Sequence, residues 1–307
     1  MVASMVMWGI ANPFSDIAMD GMTPAQTYIT EVFAGTVAFV VLVALLPQLR
    51  PSLRHVPWRI AVPLGLIMPG LCFYLGNIGY DYSTVTTGVI LLSTEAIFTA
   101  LGGVWLLREH MSRRAAVAIA CGVAGAIVVG VAGQEHNPEA LGSTFGIVGA
   151  QLPSGLVGGA AFVFSALFSG LFAVLVRKYA ASVDVIGLTV GQLVAAAGFG
   201  LAMLGGMRVD MRQAYASSTS FWAAVLSGLL GSAFAFLMFN YASQHVATRQ
   251  TAMSLNLIPV VAISVGAMLG RGLPTPVQFA GALVVLASLL ALDTASAPSP
   301  TAAVPPH

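Results

Sequence analysis

Long apolar runs of similar length alternate along the chain with short polar interruptions. A helix that crosses a bilayer needs about 20 mostly apolar residues. Ten segments satisfy this: 2–19, 24–46, 58–79, 84–107, 114–133, 155–177, 183–205, 219–241, 248–270 and 275–293. Helix-breaking residues mark several of the breaks. Pro47 and Pro51 close the second segment, Asn137 and Pro138 separate the fifth from the sixth, and Pro274 and Pro276 open the tenth. The pattern predicts an all-α membrane protein of ten transmembrane helices.

The pattern also repeats. Trp58–Gly130 can be laid on Phe221–Asp293 at a constant offset of 163 residues without a gap. Chance matches among Ala, Val, Leu and Gly are expected in an apolar chain. Phe73 on Phe236, Asn77 on Asn240 and Arg108 on Arg271 are harder to obtain that way. At an offset of 161, Gly9 falls on Gly170, Ala34 on Ala195 and Glu31 on Gln192. The two-residue change lies between Ala34 and Trp58, where a loop can absorb it. An internal duplication of five segments is the expectation. Five is odd, so the second copy must enter the membrane upside down, as in many secondary transporters. The first repeat is expected over 1–134, the second over 143–293, and a disordered Ala/Ser/Pro-rich tail over 294–307.

Composition agrees with the hydropathy. Only 7% of the 307 residues are charged, 58% are hydrophobic, and mean hydropathy is +0.90. Soluble domains carry about 25% charged residues. A net charge of +1 gives no footprint for a nucleic-acid partner. The expected partners are the lipid bilayer and a small-molecule substrate, with the protein a monomer or homodimer. Cys72 and Cys121 lie inside apolar runs and read as small hydrophobes rather than a disulfide or metal pair. No metal-ligand spacing and no cofactor motif appears. The N-terminus lacks a basic n-region and a clear cleavage site, so no signal peptide is expected.

Orientation follows from the cations. With the N-terminus inside, nine basic residues face the cytoplasm: Arg50, Arg54, Arg59, Arg108, Arg113, Arg114, Arg177, Lys178 and Arg249. Arg208, Arg212 and Arg271 face the other side. This asymmetry predicts a cytoplasmic (inner) membrane protein with both termini cytoplasmic. Asp16, at the outer end of the first segment, falls opposite Arg177 at the inner end of the sixth.

Several polar residues stand out in the apolar runs. Glu95 lies mid-segment, with no other charge between Val85 and Leu107. An ionised carboxylate at that depth costs about 2.5–3.5 kcal/mol on insertion scales unless it meets water or a partner. Glu95 is therefore either a hydrogen-bonded contact between helices or a cavity-lining, proton-coupling residue. Glu31 is nearer the outer third of its helix and is either a solvated structural residue or a cavity-lining one. Asn77, Asn240, Gln192 and Asn256 are amides that must find partners when buried, either between helices or around a cavity. Asn12 is a further candidate for the cavity. Trp8, Tyr74, Tyr80, Tyr82, Phe164, Phe168 and Phe236 could form an aromatic lining, although aromatics in such bundles also pack or face lipid. Pro13 and Pro259 interrupt helix hydrogen bonding and are candidate kink or gating positions.

Three stretches carry a family resemblance. They are Trp8-Gly9, the run EAIFTALGGVWLLREHMSRR (Glu95–Arg114) and the run SLNLIPVVAISVGAMLGRGL (Ser254–Leu273). Together they resemble the EamA-type branch of the drug/metabolite transporter superfamily over about residues 2–293. Pro259 matches the family's mid-segment proline, and Glu109 its turn glutamate. Ala96 replaces the other proline, Gly272 replaces the second turn glutamate, and Glu31 stands where many members carry arginine. The resemblance implies ten helices in two inverted five-helix repeats. Helices one to four and six to nine would surround a central cavity, with five and ten outside it. It also implies export of small metabolites, often amino acids, and the amino-acid exporters of broad or aromatic preference look most similar. Nucleosides, sugar derivatives and drugs are the alternatives within the superfamily. An intramembrane enzyme lacks its motifs here: Ser154-Gly155 and Ser169-Gly170 have no preceding Gly-x, and Asp81 follows Gly79-Tyr80 rather than Gly-x-Gly. A passive channel would differ from a carrier by showing neither saturation nor counterflow.

Overall fold

The computed structural model describes residues 1–106, 112–131, 154–180, 182–245, 254–255, 257–271 and 273–295. Asn256, Arg108, Glu109, Arg249, Gly272, the Asn137–Pro138 break and the tail beyond 295 lie outside the described residues. The described elements are helices: α1 (Val2–Ala18), α2 (Pro24–Leu45), α3 (Arg50–Arg54), α4 (Trp58–Tyr82), α5 (Val85–Leu92), α6 (Glu95–Leu106), α7 (Arg113–Val131), α8 (Ser154–Tyr179), α9 (Val185–Gly206), α10 (Met211–Ala214), α11 (Ser218–His245), α12 (Leu257–Met268) and α13 (Pro276–Ala295). Among the described residues, six helical stretches are long and apolar enough to cross a membrane. They are Pro24–Leu45, Trp58–Tyr82, Val85–Leu106, Gly155–Tyr179, Val185–Gly206 and Ser218–His245.

Local chemistry sets the helix starts. Thr23 and Gln26 form a reciprocal capping box before α2, with Pro24 in its first turn. Thr84 caps α5, Asp184 caps α9 and Ser217 caps α11, each through a side-chain oxygen. These bonds satisfy backbone N–H groups that a helix leaves open at its N-terminus.

The helical interruptions differ from the sequence expectation. Pro13 lies within an α1 that continues through it, and Pro259 lies in the first turn of α12. The ladder instead widens to π-helical geometry at Leu66–Leu71 in α4 and Gly228–Ala235 in α11. Met68, before Pro69, leaves the helical region altogether, with φ −146° and ψ 124°. A proline after it removes the N–H that would continue the ladder. The segment expected to be continuous over 84–107 is broken at Ser93 and Thr94. There Ser93 Oγ donates to the Val89 carbonyl (2.8 Å) and Thr94 Oγ1 to the Leu91 carbonyl (2.6 Å). Those hydroxyls occupy carbonyls near the break.

The helices pack in corresponding pairs. α1 packs on α12 and on α11, while α8 packs on α6 and on the second part of α4. The first part of α4 lies against α9, the π segment of α11 lies against α2, and α7 pairs with α13. Two glycines permit the closest of these contacts. A Cβ on Gly65 would run into the backbone of Gln192, and a Cβ on Gly228 would run into the backbone of Glu31. Large apolar side chains such as Leu45, Trp105 and Trp222 stay exposed on the outside of the bundle, where lipid is their solvent.

Candidate functional site

Facing surfaces of α1, α2, α4, α6, α8 and α11 line a cavity, with α5 and α12 completing its wall. Six of the candidates from the sequence meet there: Trp8, Asn12, Glu31, Asn77, Tyr80 and Glu95. They arrive from four helices, brought together by the two widened ladders and the break before α6.

Trp8 is buried on α1, and its indole Nε1 donates to the Gly231 carbonyl across the bundle (3.1 Å). Gly231 lies within the π segment of α11, a geometry that recurs at functional sites. The Trp8 ring also packs on Phe239, with centroids 5.2 Å apart.

Glu31 projects from α2 into a closed set of donors. Ser15 Oγ donates to Glu31 Oε1 (2.5 Å) and Asn77 Nδ2 donates to Oε2 (2.8 Å). Ser15 and Ser227 hydroxyls are 2.7 Å apart. The single Ser15 hydrogen is committed to Glu31, so Ser227 donates to Ser15. One carboxyl thus ties together α1, α2, α4 and α11.

Glu95 opens α6, immediately after the break, and its carboxyl stands beside the Ser169 hydroxyl of α8. Tyr80 is 2% exposed and packs edge-on against Phe162, with centroids 4.9 Å apart. Its hydroxyl has no hydrogen-bond partner among the described residues. Among the described residues that line the cavity there are two carboxyls and no Lys, Arg or His.

The other candidates are placed elsewhere. Asn240 Nδ2 donates to Gln192 Oε1 (2.7 Å) and to Thr189 Oγ1 (3.0 Å), a helix-to-helix contact between α11 and α9 outside this wall. Tyr82 is fully buried in a small cluster with Ile78 and Ala161. Tyr74 packs edge-on against Tyr28, and Phe236 stacks on Phe172. Phe168 is half-buried against the main core, and Phe164 is 54% exposed on the outer face of α8. None of these five aromatics lines the cavity; they pack against other side chains or stand exposed on the bundle.

The sequence did not single out Ser15, Ser165, Ser169, Ser227 or Met68, all of which line the wall. Hydroxyls raise no signal in a membrane helix, because they can bond within their own turn. The 161- and 163-residue offsets held a signal, however. They place Trp8 on Ser169, Leu92 on Leu255 and Glu95 on Ile258, and all six line the cavity.

An ionic cluster lies at one end of the bundle. Arg271, beyond the end of α12, donates through Nε to the Asp16 carboxylate and through Nη2 to the Asp16 carbonyl (2.7 Å). Its Nη1 and Nη2 also reach Asp20 (2.8 and 3.0 Å). The clasp joins the ends of α1 and α12.

A helical membrane protein with a polar pocket buried among its apolar helices is the class that this fold and site define. The model of the EamA-like transporter family matches residues 1–131 and 156–292. The chain belongs to the EamA-like transporter family, and it is a multi-pass membrane transporter. It is similar to a protein of Streptantibioticus cattleyicolor named "Probable terminal-alkyne amino-acid exporter", with 24% identity over 301 residues. That alignment covers 95% of this chain and 92% of the relative. A crystal structure with a TM-score of 0.58 and 14% identity covers 94% of this chain and 97% of its own, and it shares the fold.

Proposed function

We propose that this transporter exports small metabolites, foremost neutral or aromatic amino acids, across the cytoplasmic membrane by alternating access. The observation that carries the reading is the cavity. It joins aromatic side chains to carboxyls able to meet an amino group, in a wall that is otherwise largely apolar. The name of the relative from Streptantibioticus cattleyicolor supports the same substrate class.

Two inverted five-helix halves, 1–134 and 143–293, are the moving bodies in this proposal. The paired contacts support it. Gly65 meets Gln192 while its counterpart Gly228 meets Glu31. Asn77 bonds Glu31 while its counterpart Asn240 bonds Gln192. Each relation recurs when the two halves are exchanged. In this reading the loops at Arg50–Arg54 and Arg177–Lys178 lie in the cytoplasm, as the excess of basic residues in these loops predicts, and both termini lie with them.

Counterflow in reconstituted vesicles tests the reading. Vesicles preloaded with an unlabelled neutral amino acid are expected to accumulate the labelled one transiently and saturably. Equal, non-saturating entry of amino acids, sugars and nucleosides would make the protein a passive channel and sink the proposal.

A further inference from the structure

We propose that the cavity recognises an amino group on an apolar body and makes no use of a substrate carboxylate, so that simple primary amines are ligands alongside amino acids. This inference rests on the export reading above and specifies what its site selects.

The charge inventory of the wall is one-sided. Glu31 and Glu95 are the only carboxyls among the described lining residues, and none of those residues is a cation. Arg271 cannot supply one from the clasp end, because its guanidinium is committed to Asp16 and Asp20. A zwitterionic amino acid would therefore find a counter-charge for its ammonium and none for its carboxylate. Water is scarce between packed helices, and an unpaired carboxylate beside two others is disfavoured by both desolvation and repulsion.

At the break before α6, several backbone donors are already taken. There Thr94 N–H is held by the Leu91 carbonyl (3.0 Å), and Ile97 N–H by the Thr94 carbonyl (2.9 Å). A ligand carboxylate at that turn would also lie next to Glu95.

The two carboxyls differ in availability. Both oxygens of Glu31 already accept hydrogen bonds, from Ser15 and Asn77, which makes it the positioning member. Glu95 has the Ser169 hydroxyl beside it and is the ammonium partner. Tyr80 adds the second, independent sign of a ligand. It is almost completely buried, it lines the cavity, and its hydroxyl lacks a partner among the described residues. A hydroxyl can accept from an ammonium N–H where a second cation could not be tolerated.

The rest of the wall suits an apolar body. Trp8, Leu92, Leu255 and Ile258 line it, and the second half of the chain contributes no ionisable group among the described residues. The 163-residue offset puts Ile258 where the first half carries Glu95, so the ligand has a polar end and an apolar end in fixed directions.

Three compounds with one phenyl-ethyl body separate the chemistries: phenethylamine, phenylalanine and 3-phenylpropionate. Binding to the purified full chain is measured by equilibrium competition, and counterflow by vesicle assay with protein-free vesicles subtracting passive leak. Phenethylamine is expected to bind at least as tightly as phenylalanine, and 3-phenylpropionate at least tenfold more weakly than either. Glu95→Gln is expected to weaken both amino-bearing ligands at least tenfold, and Glu95→Asp to recover part of that loss in folded protein of wild-type thermal stability. Saturable phenylalanine counterflow with no competition by phenethylamine would overturn this inference alone. Equal binding of 3-phenylpropionate would also overturn it. If phenethylamine and phenylalanine bind as expected but neither shows counterflow, the export reading fails while the recognition stands.

Discussion

Replacing Arg271 by Gln removes the charge that holds the ends of α1 and α12 together. In the structure Arg271 makes bonds of two kinds. Those to Asp20 are partly exposed, with the Asp20 side chain 45% accessible. Pairs of that kind contribute about 0.2–1 kcal/mol. The Asp16 carboxylate is 3% accessible, and removal of Arg271 takes away a buried ionic contact. Breaking a buried pair in that manner costs about 3–5 kcal/mol. With Arg271 itself 16% exposed, about 3 kcal/mol is a fair value for the whole clasp. If the clasp exists only in the state closed at this end, its loss shifts the open-to-closed ratio by about two orders of magnitude, since 1.4 kcal/mol is tenfold. The assay is labelling of a single cysteine at Asn12, in a Cys72→Ser, Cys121→Ser background, by an impermeant maleimide applied from the Arg271 side. Asn12 lines the cavity, so its labelling requires that end to open. Arg271→Gln is expected to speed labelling by tenfold or more. Arg271→Lys, which keeps the charge but loses the planar fork, should fall between. An Asn12→Cys labelling rate within twofold of the parent, in folded Arg271→Gln protein, would refute the clasp as a closure.

Three further outcomes are expected. Gly228→Ala and Gly65→Ala each drive a methyl into backbone atoms of the opposite half. They should lower the thermal unfolding midpoint or abolish folded protein, whereas Gly198→Ala, with open space around its Cβ position, should not. Glu95→Gln keeps shape and hydrogen bonding but cannot exchange a proton, so phenylalanine counterflow measured across pH 5.5–8.5 should lose its pH dependence if Glu95 couples protons; an unchanged profile removes it from coupling. A cysteine at Tyr215, which is exposed between α10 and α11, should label from outside intact cells, and one at Arg54 only after permeabilisation; the reverse result would invert the orientation.

The positions of several membrane segments were legible because lipid requires long apolar runs, and the runs at 24–46, 155–177 and 183–205 closely match α2, α8 and α9. The facing of each helix was not legible. In water an amphipathic stripe marks the buried side, but lipid is as apolar as a protein core. Phe164 and Trp8 are therefore equally plausible lining residues by hydropathy, although one faces outward and the other lines the cavity. The polar candidates separated better. Glu31, Asn77 and Glu95 are costly to leave in lipid, and all three line the cavity. The π segments escaped notice because they depend on which carbonyl a distant side chain takes, as Trp8 takes that of Gly231. The clasp was half visible. Asp16 and Arg271 each stood out as charges at segment ends, but their pairing across 255 residues requires the fold.

The two glycine contacts have a consequence for how this chain could acquire new substrates. In each half a bare glycine backbone seats against the main chain of one residue in the other half, and that residue is Glu31 in one case and Gln192 in the other. The seat constrains the main chain and is indifferent to the side chain, which is a carboxyl at one location and an amide at the other. Mutation at this seat can rewrite the chemistry presented on one side of the helix while the joint on its other side stays intact. The protein thus holds two sockets of one kind, each a glycine seated on a main chain, and the contents of each are free to differ.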